Sequence, residues 1–195
     1  NINDVAPVIS SGAVFEIDEN QTDVGRVVAS DVEEDALTFS ITGSDLSISN
    51  DGNLAFVSAP DYEDQINYNE TITVSDGINT ATQDITINVN NLNDNSPVFT
   101  SSATFNADEN QSTIGSVTAT DADGDSIQYS VNSDVFTIAA QTGELAFVEA
   151  PDYETKSDYV VIVSATDEVY TTEQTVNIVI NNLNDNSPII TSSAT

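Results

Sequence analysis

The chain is written twice. FEIDENQ at Phe15–Gln21 returns as FNADENQ at Phe105–Gln111, and ASDVEEDALTFS at Ala29–Ser40 returns as ATDADGDSIQYS at Ala119–Ser130. After one inserted residue, NDGNLAFVSAPDYE at Asn50–Glu63 pairs with QTGELAFVEAPDYE at Gln141–Glu154. Asp76 pairs with Asp167, and NLNDNSP stands at both Asn91–Pro97 and Asn182–Pro188. A looser copy, NINDVAP, occupies Asn1–Pro7. Self-similarity of this length and register is the mark of a tandem array, in which each unit must bury its own core. With 195 residues and 38% hydrophobic content, there is material for one or two modest cores. The repeat divides the chain into a first unit at 1–91, a linker at 92–97, a second unit at 98–188 and the start of another at 189–195. The text begins and ends inside repeating sequence, so a longer parent array is expected.

Within each unit the apolar residues alternate. Val14–Ile17, Val24–Ala29, Leu37–Ile41, Leu54–Val57, Thr71–Val74 and Ile85–Val89 show period two and are rich in β-branched residues. Asn50-Asp51-Gly52-Asn53 has the chemistry of a hairpin loop. No stretch sustains a helical period. About seven short strands in about ninety residues predict an all-β fold, an antiparallel sandwich in each unit. Pro97 fixes a backbone angle and stiffens the linker's exit.

Charge narrows the chemistry. Asp and Glu number 33 against two cations, Arg26 and Lys156, for a formal charge of -31. Nucleic acid and anionic membranes are excluded as partners by repulsion, whereas metal cations are favoured. The same acids also keep a surface soluble. Cys and His are absent, so disulfides, thiolate nucleophiles, imidazole bases and His or Cys zinc sites are excluded. No pattern of a signal peptide or membrane span is present. Paired carboxylates serve glycosidases, but in a chain this acidic such pairs carry little information, and no enzymatic activity is expected.

The acids gather in five motifs at strand ends or loops, in register in both units. They are Asp18-Glu19-Asn20 with Asp108-Glu109-Asn110, Asp121-Ala122-Asp123, Asp61-Tyr62-Glu63, the single Asp167, and the linker. Hard oxygen donors without His or Cys point to calcium over zinc or copper. Asp-x-Asp sets two carboxylates on one side of an extended chain. DADGDS has the first spacings of an EF-hand loop, but Ser126 stands where Gly is needed and Asn132 where the bidentate Glu is needed, so that reading is rejected.

In order along the chain, DEN, DxD, DYE, an isolated Asp after the penultimate strand, and LNDNSP resemble the cadherin repeat, whose motifs read PEN, DxD, DRE, AxD and DxNDNxP. The resemblance spans the whole chain. It implies two tandem seven-stranded Greek-key β-sandwiches (immunoglobulin-like, cadherin type), joined end to end by a linker that holds about three Ca2+ ions. Carried over position by position, the junction would use Glu19, Asp61 and Glu63 of the first unit. The linker would add the Leu92 carbonyl, the side chains of Asn93 and Asp94, and the Asn95 carbonyl. The second unit would add Asp121, Asp123 and Asp167. Partial half-sites would comprise Asn3, Asp4, Asp31, Glu33 and Asp76 at the amino end and Glu109, Asp152, Glu154, Asn184 and Asp185 at the carboxyl end. These half-sites are expected to bind weakly or not at all. Four positions depart from the family: Asn91 replaces Asp, Tyr62 and Tyr153 replace Arg, and Glu33 makes Asp31-Val32-Glu33 stand in for DxD.

The resemblance further implies a calcium-dependent adhesion module at the cell surface, anchored through other parts of a parent chain. Its partners would be calcium, neighbouring repeats, and another cadherin-like protein or a surface carbohydrate. With no Trp in the chain, strand exchange through an amino-terminal Trp is excluded. The acid content and the scarcity of Lys suit a large bacterial surface adhesin. Alternative readings are carbohydrate binding, with Tyr62, Tyr68, Tyr153, Tyr159 and Tyr170 as stacking rings, homophilic binding, or a spacer attached to a secreted hydrolase.

Overall fold

The computed structural model describes residues 3–191. Asn1 and Ile2 of the first linker copy, and the last four residues of the 189–195 stretch, lie outside the described residues. The chain separates into two compact units, Asn1–Leu92 and Asn93–Thr195. All regular structure among the described residues is β.

The first unit runs β1 (Val8–Ile9), β2 (Val14–Asp18), β3 (Asp23–Arg26), β4 (Ala29–Ser30), β5 (Thr38–Ile41), β6 (Leu46–Ile48), β7 (Asn53–Phe56), β8 (Asn67–Ser75) and β9 (Thr80–Asn90). One sheet has the order β2-β9-β8-β5, with β2 parallel to β9, and the other β3-β7-β6. β1 and β4 form a short ribbon. The chain crosses between sheets from β5 to β6 and from β7 to β8, which gives a Greek-key sandwich of seven main strands.

Alternation puts one face of each strand inside. Ile17, Leu46, Leu54, Phe56, Ile72, Val74, Ile85, Ile87 and Val89 come from both sheets and form one core with Val27. Each fully buried aliphatic side chain contributes roughly 1.5–3 kcal/mol.

The second unit repeats this plan. It has β10 (Val98–Phe99), β11 (Thr104–Asp108), β12 (Thr113–Ser116), β13 (Ala119–Thr120), β14 (Gln128–Val131), β15 (Phe136–Ile138), β16 (Glu144–Phe147), β17 (Asp158–Thr166) and β18 (Thr171–Asn181). Its sheets are β11-β18-β17-β14 and β12-β16-β15, with a separate core.

Two details differ from the sequence expectation. The run Val24–Ala29 is two strands, because β3 pairs with β7 while β4 pairs with β1. Between them the Val27 N–H donates to Gly52 O, and Val28 O accepts from Ser10 and Ser11. Leu46–Ile48, too short to show a period, is a strand and pairs with β7. The predicted loop at 50–53 joins β6 to β7. Its Gly52 has φ 81°, and a Cβ there would collide with the Val27 carbonyl, as one at Gly143 would with Val117.

Candidate metal centre

Each unit gathers acids at two ends. At the entry end the segment leading into the first unit meets the loop after β4 and the β8–β9 turn, and the segment leading into the second meets the loop after β13. At the exit end the segment leaving β9 or β18 meets the loop after β2 or β11 and the loop before β8 or β17.

The exit ends hold one carboxylate each in a backbone cradle. Glu19 is 1% exposed. Its Oε2 accepts the Tyr62 N–H at 2.8 Å and its Oε1 the Leu92 N–H at 2.7 Å. Glu109, also 1% exposed, accepts Tyr153 N–H at 2.9 Å and Leu183 N–H at 2.6 Å. A buried charge is tolerable when such donors satisfy it. The DYE loops are pinned by their first residue: Asp61 Oδ1 accepts Glu63 N–H at 3.0 Å, and Asp152 Oδ1 accepts Glu154 N–H at 3.0 Å. The Thr155 hydroxyl, which donates to Asp152, holds that carboxyl below its ordinary value. Glu109, Asp152 and Glu154 bring carboxylate oxygens within 4.8 Å of one another. Asp185 sits beside them, accepting from Asn110 Nδ2 at 2.6 Å and Asn186 Nδ2 at 2.9 Å. Asn184 is exposed.

At the second unit's entry end, Asp121, Asp123 and Asp125 converge within 4.8 Å. Asp121 Oδ1 accepts the N–H groups of Asp123 at 3.1 Å and Asp125 at 3.3 Å, which curls the loop. Asp123 Oδ2 accepts from Asp94 N at 3.1 Å and Asn95 N at 2.8 Å, so this carboxylate docks the linker onto the unit. Asn95 Nδ2 adds a bond to Asp123 Oδ1 at 2.8 Å. Asp167 is 5% exposed, and its Oδ1 accepts Val169 and Tyr170 N–H at 2.7 and 2.6 Å.

The other oxygens are unspent. Asp121 Oδ2, Asp167 Oδ2 and Asn93 Oδ1 are buried and accept no hydrogen bond. Burial and repulsion from Asp121, Asp123, Asp167 and Glu168 push the Asp125 carboxyl above its ordinary value. Desolvated acceptors of one sign, facing no donor, are costly unless a cation serves them. All are hard oxygens, the donor set of calcium.

The first unit's entry end is built alike from Asn3, Asp4, Asp31, Glu33 and Asp76. Asp31 Oδ1 accepts Glu33 and Asp35 N–H at 2.8 and 3.4 Å, while its Oδ2 is buried and accepts nothing. Glu33 takes the N–H groups of Asp4 and Val5, both at 3.2 Å. A hydrogen bond with the Asp4 side chain, followed by burial, raises the Glu33 carboxyl. Asp76 is 8% exposed. Burial pushes its carboxyl up, but donors from Ile78 and Asn79 prevail and hold it low.

Sequence reasoning left out Asp35 and met Asp125 only in the rejected EF-hand reading; each extends its Asp-x-acid pair by one more step of the same spacing. It also missed that Leu92 contributes an N–H to Glu19. Of the five candidate stacking rings, Tyr62, Tyr68, Tyr153 and Tyr159 pack against the cores, and Tyr170 is partly exposed. Among the described residues no helix is long and apolar enough to cross a membrane.

Comparison with known proteins bears on the family and the fold. Residues 102–181 match the cadherin domain family, and residues 3–88 match the bacterial Ig domain family. The chain is a tandem pair of cadherin-like repeats. Human Protocadherin Fat 1 is 36% identical over 196 aligned residues, taking in 86% of this chain and 4% of that protein. Drosophila melanogaster Cadherin-99C is 32% identical over 174 residues, 82% of this chain and 10% of that protein. These repeats thus span a small fraction of the relatives they match. Among solved structures, Protocadherin Gamma B2 extracellular cadherin domains 3–6 superimpose with a TM-score of 0.82 at 20% identity, over 100% of this chain and 54% of that one. Human Protocadherin-24 EC1-2 gives 0.77 at 23% identity, over 92% and 99%. The match is one of fold.

Proposed function

We propose that the cadherin-like pair is a calcium-dependent adhesion module, in which calcium at the junction turns two flexibly joined repeats into a rigid extender. The observation that carries this reading is the set of buried acceptors without donors, Asp121 Oδ2, Asp167 Oδ2 and Asn93 Oδ1, at the point where the chain enters the second unit. Glu19, Asp61 and Glu63, the linker Leu92–Asn95, and Asp121, Asp123 and Asp167 would together hold about three ions. In sequence the exit and entry groups flank the linker, so a shared ion would tie one unit to the other.

Without calcium, like charges keep the units apart and a short polar linker leaves them mobile. Six positive charges reverse that balance. Extracellular calcium modules have dissociation constants of roughly 0.1–1 mM. At about 10 mM calcium, a site of ~0.1 mM stabilises the bound form by ~2.7 kcal/mol. The module would act outside the cell as part of a larger surface protein, extending or presenting an adhesive surface to another cadherin-like protein or a carbohydrate.

Small-angle X-ray scattering across a calcium titration tests the reading. The particle should lengthen and stiffen at millimolar calcium, with magnesium ineffective, and Asp94→Ala should weaken both binding and stiffening. A scattering profile that ignores calcium and chelator alike rejects it.

A further inference from the structure

One pair of equivalent oxygens is used differently at the two entry ends, and at that pair one side chain makes the difference. In the second unit Asp167 Oδ2 and Asn93 Oδ1 are both buried and accept no hydrogen bond. Their counterparts in the first unit are Asp76 Oδ2 and Asn3 Oδ1. Both are taken by a single amide: Asn79 Nδ2 donates to Asn3 Oδ1 at 3.1 Å and to Asp76 Oδ2 at 3.3 Å. A carboxamide nitrogen has two N–H donors, and Asn79 directs one to each oxygen. Asn3 Nδ2 in turn donates to the Asp76 carbonyl at 3.3 Å, closing a ring of three residues. The residue matching Asn79 is Tyr170, which carries no amide and leaves its ring 37% exposed.

We infer that Asn79 is a built-in stand-in for the cation at the first unit's entry end. The residue at this position, Asn79 or Tyr170, then tunes how tightly this one pair of oxygens holds a divalent ion. The inference rests on the calcium reading above. A divalent ion would bridge these two oxygens, and the amide bridges them already. At this pair of oxygens, calcium entering the first unit must displace a donor from a carboxylate and from a carboxamide; at Asp167 Oδ2 and Asn93 Oδ1 of the second it displaces none, although Asn95 Nδ2 bridges Asp94 Oδ1 and Asp123 Oδ1 nearby. Asp31 Oδ2 still accepts nothing, so the first site is weakened and not abolished. In metal-free protein the same amide relieves Asp76 of an unsatisfied buried oxygen, a benefit Asp167 lacks.

Calcium titration of the whole chain, followed by nitrogen-15 NMR, separates the sites. The Ile78 N–H donates to Asp76 and the Val169 N–H to Asp167, so each reports one entry end. The Val169 signal should move at lower calcium than the Ile78 signal. Asn79→Ala should lower the Ile78 midpoint about tenfold, and Tyr170→Asn should raise the Val169 midpoint by a similar factor, the scale of one hydrogen bond to a charged acceptor. In chelator, Asn79→Ala should lower the thermal midpoint of its unit while Tyr170→Asn raises that of the other. If calcium moves both signals but neither substitution shifts its midpoint, this inference is overturned and the calcium reading stands. If calcium moves neither signal in the unsubstituted chain, both fail.

Discussion

At the exit end of each unit a glutamate lies at 1% exposure with both carboxylate oxygens taken by backbone N–H groups. At the second unit's entry end, Asp121 and Asp167 each spend one oxygen on the backbone and leave the other buried and bare. The first arrangement meets the fold's own needs without a ligand, because it fastens the departing chain and the DYE loop, and each oxygen keeps a lone pair for a cation. The second is incomplete without one. A cation is one group outside the chain that relieves such a cost. The two kinds of acid therefore answer substitution with opposite signs.

The largest expected effect breaks the exit cradle. Glu109→Ala strands the Tyr153 and Leu183 N–H groups and should cost the second unit about 3 kcal/mol in urea unfolding under chelation. Glu19→Ala should cost the first unit the same. A loss below about 1 kcal/mol would return these glutamates to the class of metal ligands alone.

Next is a change at two glycines outside the acid motifs. Gly52→Ala or Gly143→Ala forces a Cβ against the Val27 or Val117 carbonyl at positive φ and should cost about 1–3 kcal/mol. Calcium midpoints should stay where they are. If they move, stability and binding are coupled through the core, and the division between ends is less clean than drawn here.

At the entry end the sign reverses. Asp121→Asn removes a bare buried carboxylate oxygen and should stabilise metal-free protein by about 1 kcal/mol while weakening calcium binding, as read by calorimetry. Asp76→Asn, by contrast, should bring no gain, because Asn79 already satisfies that side chain.

The smallest effect is one of pH. Asp125 has a folded pKa above its unfolded value, so its ionisation opposes folding. That penalty is absent below the unfolded value and grows as pH rises through the folded one. Asp125→Asn should therefore raise the metal-free melting temperature at neutral pH, with the gain fading as the solution is acidified toward pH 3.8. A gain that is constant across pH would assign it to packing.

The sequence by itself carried the unit length, the β class and the acid motifs, since each of these is local. Period-two alternation needs only neighbours, Gly52 declares its turn, and a repeat declares itself by comparison with its own copy. The oxygen chemistry of the cation sites was legible for the same reason: ligand type is composition. What only the tertiary structure decided is which acid faces a donor. Glu19 meets Leu92 across 73 positions and Asn79 meets Asn3 across 76, and no periodicity encodes such pairs. Likewise Val24–Ala29 reads as one strand until β1 and β7 compete for its hydrogen bonds. Asn79 and Tyr170 occupy matching places in matching text, and only folding makes one of them a ligand for Asp76.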